Sequence, residues 1–68
     1  MTPTARLSAA MATLSWGPLA LSAQLRVNER TVRRWLAGQN DPPVEVLAWL
    51  ERAAAWLADN PAPGRSTD

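Results

Sequence analysis

Residues that break or cap helices divide this sequence into short segments, and this division limits the folds that the chain can adopt. Gly17 followed by Pro18 indicates that one helix ends there and another begins. Asn28 has a side chain suited to an N-cap, and Gly38 stands where a left-handed C-terminal cap is expected. No segment shows the alternating pattern of a β-strand. The sequence therefore predicts short helices joined by tight turns.

The segments between these breaks have the end signals and the apolar spacing of helices. Thr2 is suited to cap a first helix that has Pro3 at its first position, and Asp41 is suited to cap a fourth helix that begins with the next residue. The apolar stripe of the first segment consists of Leu7, Ala10, Met11 and Leu14. The predicted helices cover residues 3–14, 18–25, 29–37 and 42–58. We expect an all-α, four-helix domain over residues 3–59, followed by a disordered tail over residues 60–68.

The composition offers little material for catalysis or for metal binding. The 68 residues include no Cys and no His, which removes disulfides, thiolate and imidazole ligands, and the usual general base. The remaining catalytic candidates are carboxylates such as Asp41, Glu45 and Glu51. We expect a protein that is not an enzyme and that uses no cofactor, metal or small-molecule ligand. The sequence shows neither a signal-peptide pattern nor an apolar run of about 20 residues, so we also expect a cytoplasmic protein without a membrane partner.

Positive charge is concentrated in one short region of the chain. Residues 26–36 contain four arginines and one glutamate, whereas the whole chain has a net charge of only +1. Every basic residue is an arginine, and the planar guanidinium suits bidentate binding to phosphate or guanine. A genome rich in G and C also favours arginine codons over lysine codons. The arginine preference alone therefore does not identify nucleic acid as the partner.

The third predicted helix has two different faces on a helical wheel drawn at about 100° per residue. The face that we expect to pack inward is formed by Val32, Trp35 and Leu36. The opposite face carries Arg30, Arg33 and Arg34. Glu29 precedes Arg33 by four residues, so these two side chains should form an ion pair. Arg30 and Arg34 have the same spacing but like charges, an arrangement that a bound polyanion relieves.

The second helix, a turn of about three residues and the third helix have the size of a two-helix unit whose second helix enters the DNA major groove. Residues 18–37, PLALSAQLRVNERTVRRWLA, resemble the helix-turn-helix of small phage-repressor-type (Cro-like) transcriptional regulators, and VNERTVRRWLAG is the most specific part. The resemblance extends from about residue 4 to residue 58. It implies a homodimeric repressor that binds an inverted-repeat operator in double-stranded DNA and regulates its own operon, with an anti-CRISPR operon or another mobile-element operon as alternatives. The family usually has Gly where this chain has Arg26, which implies a positive φ angle there.

The polar residues of this two-helix unit are the candidate DNA contacts. Arg30 and Arg34 are the expected base readers, because arginine donates two hydrogen bonds to guanine O6 and N7. Glu29 can accept a hydrogen bond from cytosine N4, and the resemblance implies base contacts from Glu29 and Arg33 as well. Asn28 is expected to cap the helix first and to contact a base second. The candidate phosphate contacts are Thr31, Ser22 and Gln24.

The fourth predicted helix carries more apolar surface than one buried face requires. Its apolar residues span about 180° of the wheel, whereas a core-facing stripe takes little more than about 100°. They are Val46, Leu47, Trp49, Leu50, Ala53, Ala54, Trp56 and Leu57. We expect a homodimer interface formed by Val46, Trp49, Ala53 and Trp56, since aromatic residues are enriched at such interfaces. The alternative is a broad core contact with the tryptophans at its margins.

Less specific interpretations of these features stay open at this point. An arginine-rich helix face is often only solvated and binds nothing. A rival function is that of a protein-interaction adaptor, which would bind a different protein through the Trp-rich fourth helix. Trp16 and Trp35 are expected to be packing residues without a role in recognition.

Overall fold

The computed structural model describes residues 1–62, and most of these residues lie in α-helices. The helices are α1 (Pro3–Leu14), α2 (Pro18–Leu25), α3 (Glu29–Leu36) and α4 (Val44–Asp59). Residues 1–62 contain no β-strand, which confirms the all-α prediction for this part of the chain. None of these four helices is long and apolar enough to cross a bilayer. Residues 60–62 are not helical, and the rest of the predicted disordered tail, residues 63–68, lies outside the described residues.

The ends of the first three helices follow the signals in the sequence. Thr2 Oγ1 accepts a hydrogen bond of 3.1 Å from the Ala5 N–H and so caps α1. Asn28 caps α3 in the same way. Gly38 adopts a left-handed conformation with φ of 79° immediately after Ala37, the C-cap of α3. The helix boundaries predicted for α1 and α2 are confirmed, and α3 ends one residue earlier than predicted.

The start of α4 differs from the prediction. The helix begins at Val44 rather than Pro42, and its N-cap is Pro43, which has no side chain that can accept a hydrogen bond. The prediction that Asp41 caps this helix is therefore wrong. The physical reason is the pair of prolines, because Pro43 disfavours helical backbone at the residue before it. The first helical hydrogen bonds run from the N–H groups of Val46 and Leu47 to the Pro43 carbonyl, at 3.0 and 3.1 Å.

All four helices contribute side chains to one hydrophobic core. The buried apolar residues are Leu7, Ala10, Met11, Leu21, Val32, Trp35, Leu47 and Leu50. Helix α1 packs against α4 and α3, and α2 packs against α3. Trp35 is only 6% exposed, which confirms its predicted packing role. The Thr4 hydroxyl of α1 donates a 3.0 Å hydrogen bond to the Trp35 carbonyl and thus ties α1 to the last turn of α3.

Candidate nucleic-acid interface

A three-residue turn connects α2 to α3 and fixes how the two helices are placed. Arg26, the first residue of the turn, has φ of 57° and ψ of 44°, which confirms the predicted positive φ angle. Its N–H donates to the Ser22 carbonyl, as does the Val27 N–H at 3.1 Å. Asn28 then ends the turn, and its Oδ1 accepts a 2.9 Å hydrogen bond from the Arg30 N–H. The chain therefore passes from α2 to α3 within three residues and begins α3 with a capped end.

Helix α3 presents its apolar and basic residues on different sides. Val32 and Trp35 are buried and Leu36 is half-buried against the core. The exposed residues of the helix are Arg30, Arg33 and Arg34. The separation of a packing face from a basic face that the wheel predicted is confirmed. The basic face of α3, formed by these three arginines, is open to solvent in the single chain.

The arginines of α3 differ in their electrostatic surroundings. Arg33 Nε and Nη2 both donate to Glu29 Oε2, at 3.0 and 2.5 Å, so the predicted ion pair is confirmed. Arg30 and Arg34 form no ion pair with any other residue in the range 1–62. Their charges are therefore not neutralised by a neighbouring carboxylate of the described structure. An external anion is the partner that such a pair of cations favours.

The remaining candidate contact residues are not all available to a ligand. Asn28 and Gln24 are exposed, and Thr31 is half-buried. Ser22, in contrast, is only 5% exposed, and its hydroxyl donates a 2.8 Å hydrogen bond to the Leu19 carbonyl. A phosphate contact from the Ser22 side chain is therefore corrected to an internal packing role. The small hydroxyl lies on the inner side of α2 and satisfies its donor within the helix itself.

The apolar surface of α4 is covered only in part by the rest of the chain. Val46 and Ala53 are half-buried, whereas Trp49 is 36% and Trp56 64% exposed. Trp49 contacts Trp16, with ring centroids 6.0 Å apart and planes tilted by 32°. Trp16 is half-buried against the core, which confirms its predicted packing role. The side of α4 that carries Val46, Trp49, Ala53 and Trp56 is named the tryptophan face below.

The carboxylate of Glu51 has a structural partner that sequence reasoning did not find. Arg6 Nε and Nη2 donate to its two oxygens at 2.9 and 2.6 Å, which joins α1 to α4. The hydrogen bond from Arg6 lowers the pKa of Glu51 below its ordinary value, and the same bond raises the pKa of Arg6. The two residues are 45 positions apart, so no local pattern could have paired them. Within residues 1–62, no cluster of carboxylates is arranged to hold a metal ion.

Comparisons with known proteins add no family to this geometry. No family model matches the sequence, and neither a curated protein nor a solved structure is significantly similar to it. The resemblance of residues 18–37 to phage-repressor-type regulators therefore rests on the sequence motif alone and stays a prediction. The function has to be inferred from the placement of the side chains on α2, α3 and α4.

Proposed function

We propose that this protein is a sequence-specific repressor that binds double-stranded DNA as a homodimer, with α2, the turn and α3 as its helix-turn-helix unit. One observation carries the proposal: α3 has a buried apolar face and an exposed basic face. Val32 and Trp35 hold the helix against the core, so the arginines on the other side point away from the protein. A helix with this arrangement can enter a groove without losing its own packing. Placed after a short turn, it has the form of a recognition helix.

The dimensions of α3 suit the DNA major groove. An α-helix with its side chains is about 10–12 Å in diameter, and the major groove of B-DNA is about 12 Å wide, so the groove can admit α3. The α-carbons of Arg30 and Arg34 are separated by about 6 Å along the helix axis. Successive bases on one strand are about 3.4 Å apart. Two arginines one turn apart can therefore reach bases that lie about two steps apart.

Each exposed side chain of α3 suits a particular part of the DNA. Arg30 and Arg34 are proposed to donate to guanine O6 and N7, because neither is held by a carboxylate in residues 1–62. Arg33 is bound to one oxygen of Glu29, and this leaves the other Glu29 oxygen as an acceptor for cytosine N4. Asn28 also belongs to the proposed contact set. The proposed phosphate contacts are Gln24 and Thr31, which fix the position of the helix but do not read sequence.

The tryptophan face of α4 is proposed as the dimer interface. Large aromatic side chains at the centre of a contact contribute much of the binding energy, and Trp56 is mostly uncovered in the single chain. A two-fold axis through this face gives each dimer two copies of α3. Repression then follows from occlusion of a promoter by the bound dimer. The resemblance to phage-repressor-type regulators supports control of the protein's own operon, with an anti-CRISPR or other mobile-element operon as specific cases.

Selection of bound DNA from a random library, at about 0.1 M salt, tests this proposal. We expect enrichment of an inverted repeat with G and C in each half-site. Arg30→Ala and Arg34→Ala should each weaken binding to the selected site by about 1–3 kcal/mol, roughly 5- to 150-fold, and relax the preference at one base pair per half-site.

Arg52→Ala is the matched control, because Arg52 is an exposed arginine on α4 without an ion pair in residues 1–62. It removes the same charge from a different helix, so the base preference should stay intact. Failure of the library to yield any enriched sequence would contradict the proposal. An equally relaxed base preference in Arg52→Ala and in the two α3 variants would contradict the assignment of base readers.

The adaptor function is the second candidate, and the exposure of Trp56 is the observation that favours it. An adaptor would use the tryptophan face to bind a different protein and would leave DNA unbound. The two functions differ in a simple measurement, the electrophoretic mobility of a random DNA duplex at low salt. A repressor retards the duplex even without its operator, because nonspecific binding depends on phosphate contacts. An adaptor leaves the mobility of the duplex unchanged.

A further inference from the structure

We infer that Arg26, in the turn between α2 and α3, binds a phosphate of the DNA backbone at the edge of the groove that α3 enters. The inference rests on the proposed DNA-binding function and adds to it a contact in the turn itself. Three features of Arg26 carry it: its backbone conformation, the surroundings of its side chain and its place beside the start of α3.

The backbone conformation at position 26 is one that glycine adopts more easily than arginine. With φ of 57° and ψ of 44°, Arg26 lies in the left-handed region, where the Cβ atom of an L-residue approaches the carbonyl oxygen. The bond that ends α2 uses only the Arg26 N–H and the Ser22 carbonyl, and a glycine would form it equally well. The hydrogen bonds of the turn therefore do not require an arginine side chain. Its presence at a strained position points to a role outside the turn.

The guanidinium of Arg26 has no polar partner in the part of the chain that the structure describes. Arg26 is exposed, and in residues 1–62 its guanidinium forms neither a hydrogen bond nor an ion pair. Arg6 and Arg33 differ from it, since each is bound to a carboxylate through two nitrogens. The planar donor group of Arg26 is therefore free for a ligand, and its shape matches a phosphate with two acceptor oxygens.

The position of Arg26 in the chain selects phosphate rather than a base. It precedes the N-cap Asn28 by two residues, so it lies outside α3 but close to its N-terminus. The N-terminal residues of a recognition helix are the ones that contact base edges in the groove. Side chains on the helix reach the base edges, whereas groups beside the helix meet the sugar-phosphate strands that border the groove. Arg30, four residues further on, adds a second unpaired positive charge near this end. Two positive charges without a carboxylate partner near this end favour contact with the anionic backbone of DNA.

Four variants of the full-length chain separate the side chain of Arg26 from its backbone strain. Arg26→Lys keeps the positive charge and the strained conformation, whereas Arg26→Ala keeps the strain and removes the charge. Arg26→Gly removes both, and Arg52→Ala removes an equal charge from α4. The dissociation constant is measured by fluorescence anisotropy, on the selected operator and on a random duplex, between about 0.05 and 0.3 M salt. Thermal melting of each variant is followed in parallel.

We expect Arg26→Ala and Arg26→Gly to weaken binding to the operator and binding to the random duplex by the same factor. The salt slope is the slope of the logarithm of the binding constant against the logarithm of the salt concentration. Loss of one phosphate contact makes this slope shallower by about 0.9, so loss of two contacts in a dimer makes it shallower by about 1.8. If such a contact contributes nothing at 1 M salt, the loss at 0.1 M is roughly eightfold per contact and about sixtyfold per dimer. Arg26→Lys should retain most of the affinity and the slope. Arg26→Gly should melt higher than Arg26→Ala by roughly 2–8 °C, because only glycine relieves the strain.

Several outcomes would overturn the inference while the proposed function stands. Arg26→Ala could bind the operator with unchanged affinity and salt slope, or it could lose no more affinity than Arg52→Ala. Recovery of binding in Arg26→Gly would show that backbone strain, and not the guanidinium, sets the affinity. A loss on the operator without a loss on the random duplex would make Arg26 a base reader. A wild-type chain that binds neither duplex overturns the proposed function together with the inference.

Discussion

Asn28 should serve two purposes that substitution can separate, because its side chain caps α3 and faces the proposed DNA interface. Its Oδ1 accepts a 2.9 Å hydrogen bond from the Arg30 N–H, one of the backbone donors left free at the start of a helix. Asn28→Ala removes this acceptor, and loss of an N-cap costs about 1 kcal/mol of stability, with a range of about 0.5–2 kcal/mol. In a domain of this size, 1 kcal/mol corresponds to a fall in melting temperature of about 4–8 °C.

Asn28→Asp should give the opposite combination of effects. The carboxylate keeps an oxygen in the capping position, and a negative charge at the helix N-terminus stabilises the helix by about 0.3–1 kcal/mol. The melting temperature should therefore stay equal to that of the wild type or rise. In the proposed complex the same charge lies close to the polyanionic DNA, so binding to the operator and to random duplexes should weaken.

Circular dichroism melts and anisotropy titrations measure the two effects separately. Thr2→Ala is the matched control, since Thr2 caps α1 through a 3.1 Å hydrogen bond from the Ala5 N–H and plays no part in the proposed DNA site. It should lower the melting temperature and leave the affinity of the folded protein unchanged. An Asn28→Ala protein that melts together with the wild type would refute the capping argument. Unchanged DNA binding by Asn28→Asp would remove Asn28 from the interface.

Three further predictions concern pH, assembly and operator geometry. Because Arg6 lowers the pKa of Glu51 in the folded state, the ion pair stabilises the protein above the ordinary glutamate pKa, and this contribution disappears as the pH falls through the lowered value. Denaturation of wild type and Glu51→Gln should therefore differ at neutral pH and converge in acid. Light scattering should give about twice the chain mass of 7.4 kDa, and Trp49→Glu combined with Trp56→Glu should give monomers; a monomeric wild type that binds its operator tightly contradicts the dimer. The half-site centres should lie about 10–10.5 base pairs apart, and an insertion of about five base pairs between them should reduce affinity to the nonspecific level in a mobility-shift titration.

Local signals predicted the helices well, because caps and breaks act over three or four residues. Asn28 and Gly38 mark their helix ends whatever the rest of the chain does, and the structure places both as predicted. The start of α4 was missed for a reason that is also local. The side chain of Asp41 is suited to an N-cap, but Pro43 disfavours helical backbone at the residue before it. The helix therefore begins at Val44 and not at Pro42.

Features that depend on distant parts of the chain could not be predicted from local patterns. Ser22 looked like an exposed phosphate contact, yet the packing of α2 buries it. The ion pair between Arg6 and Glu51 joins helices that are far apart in sequence, and only the fold brings them together. The basic face of α3 was predictable because the residues that define both of its sides lie within one helix.

Helix α1 connects the two proposed binding surfaces. Within its first turn, Thr4 bonds to the last turn of α3 and Arg6 bonds to Glu51 on α4. In a dimer formed through the tryptophan face, the distance between the two copies of α3 therefore depends on how α1 fixes α3 to α4. In the proposed complex, base preference depends on the side chains of α3 and of its N-cap. A change that loosens either contact of α1 should consequently widen the range of half-site spacings that the dimer accepts, because α3 can then shift relative to the two-fold axis while its arginines still meet the same bases.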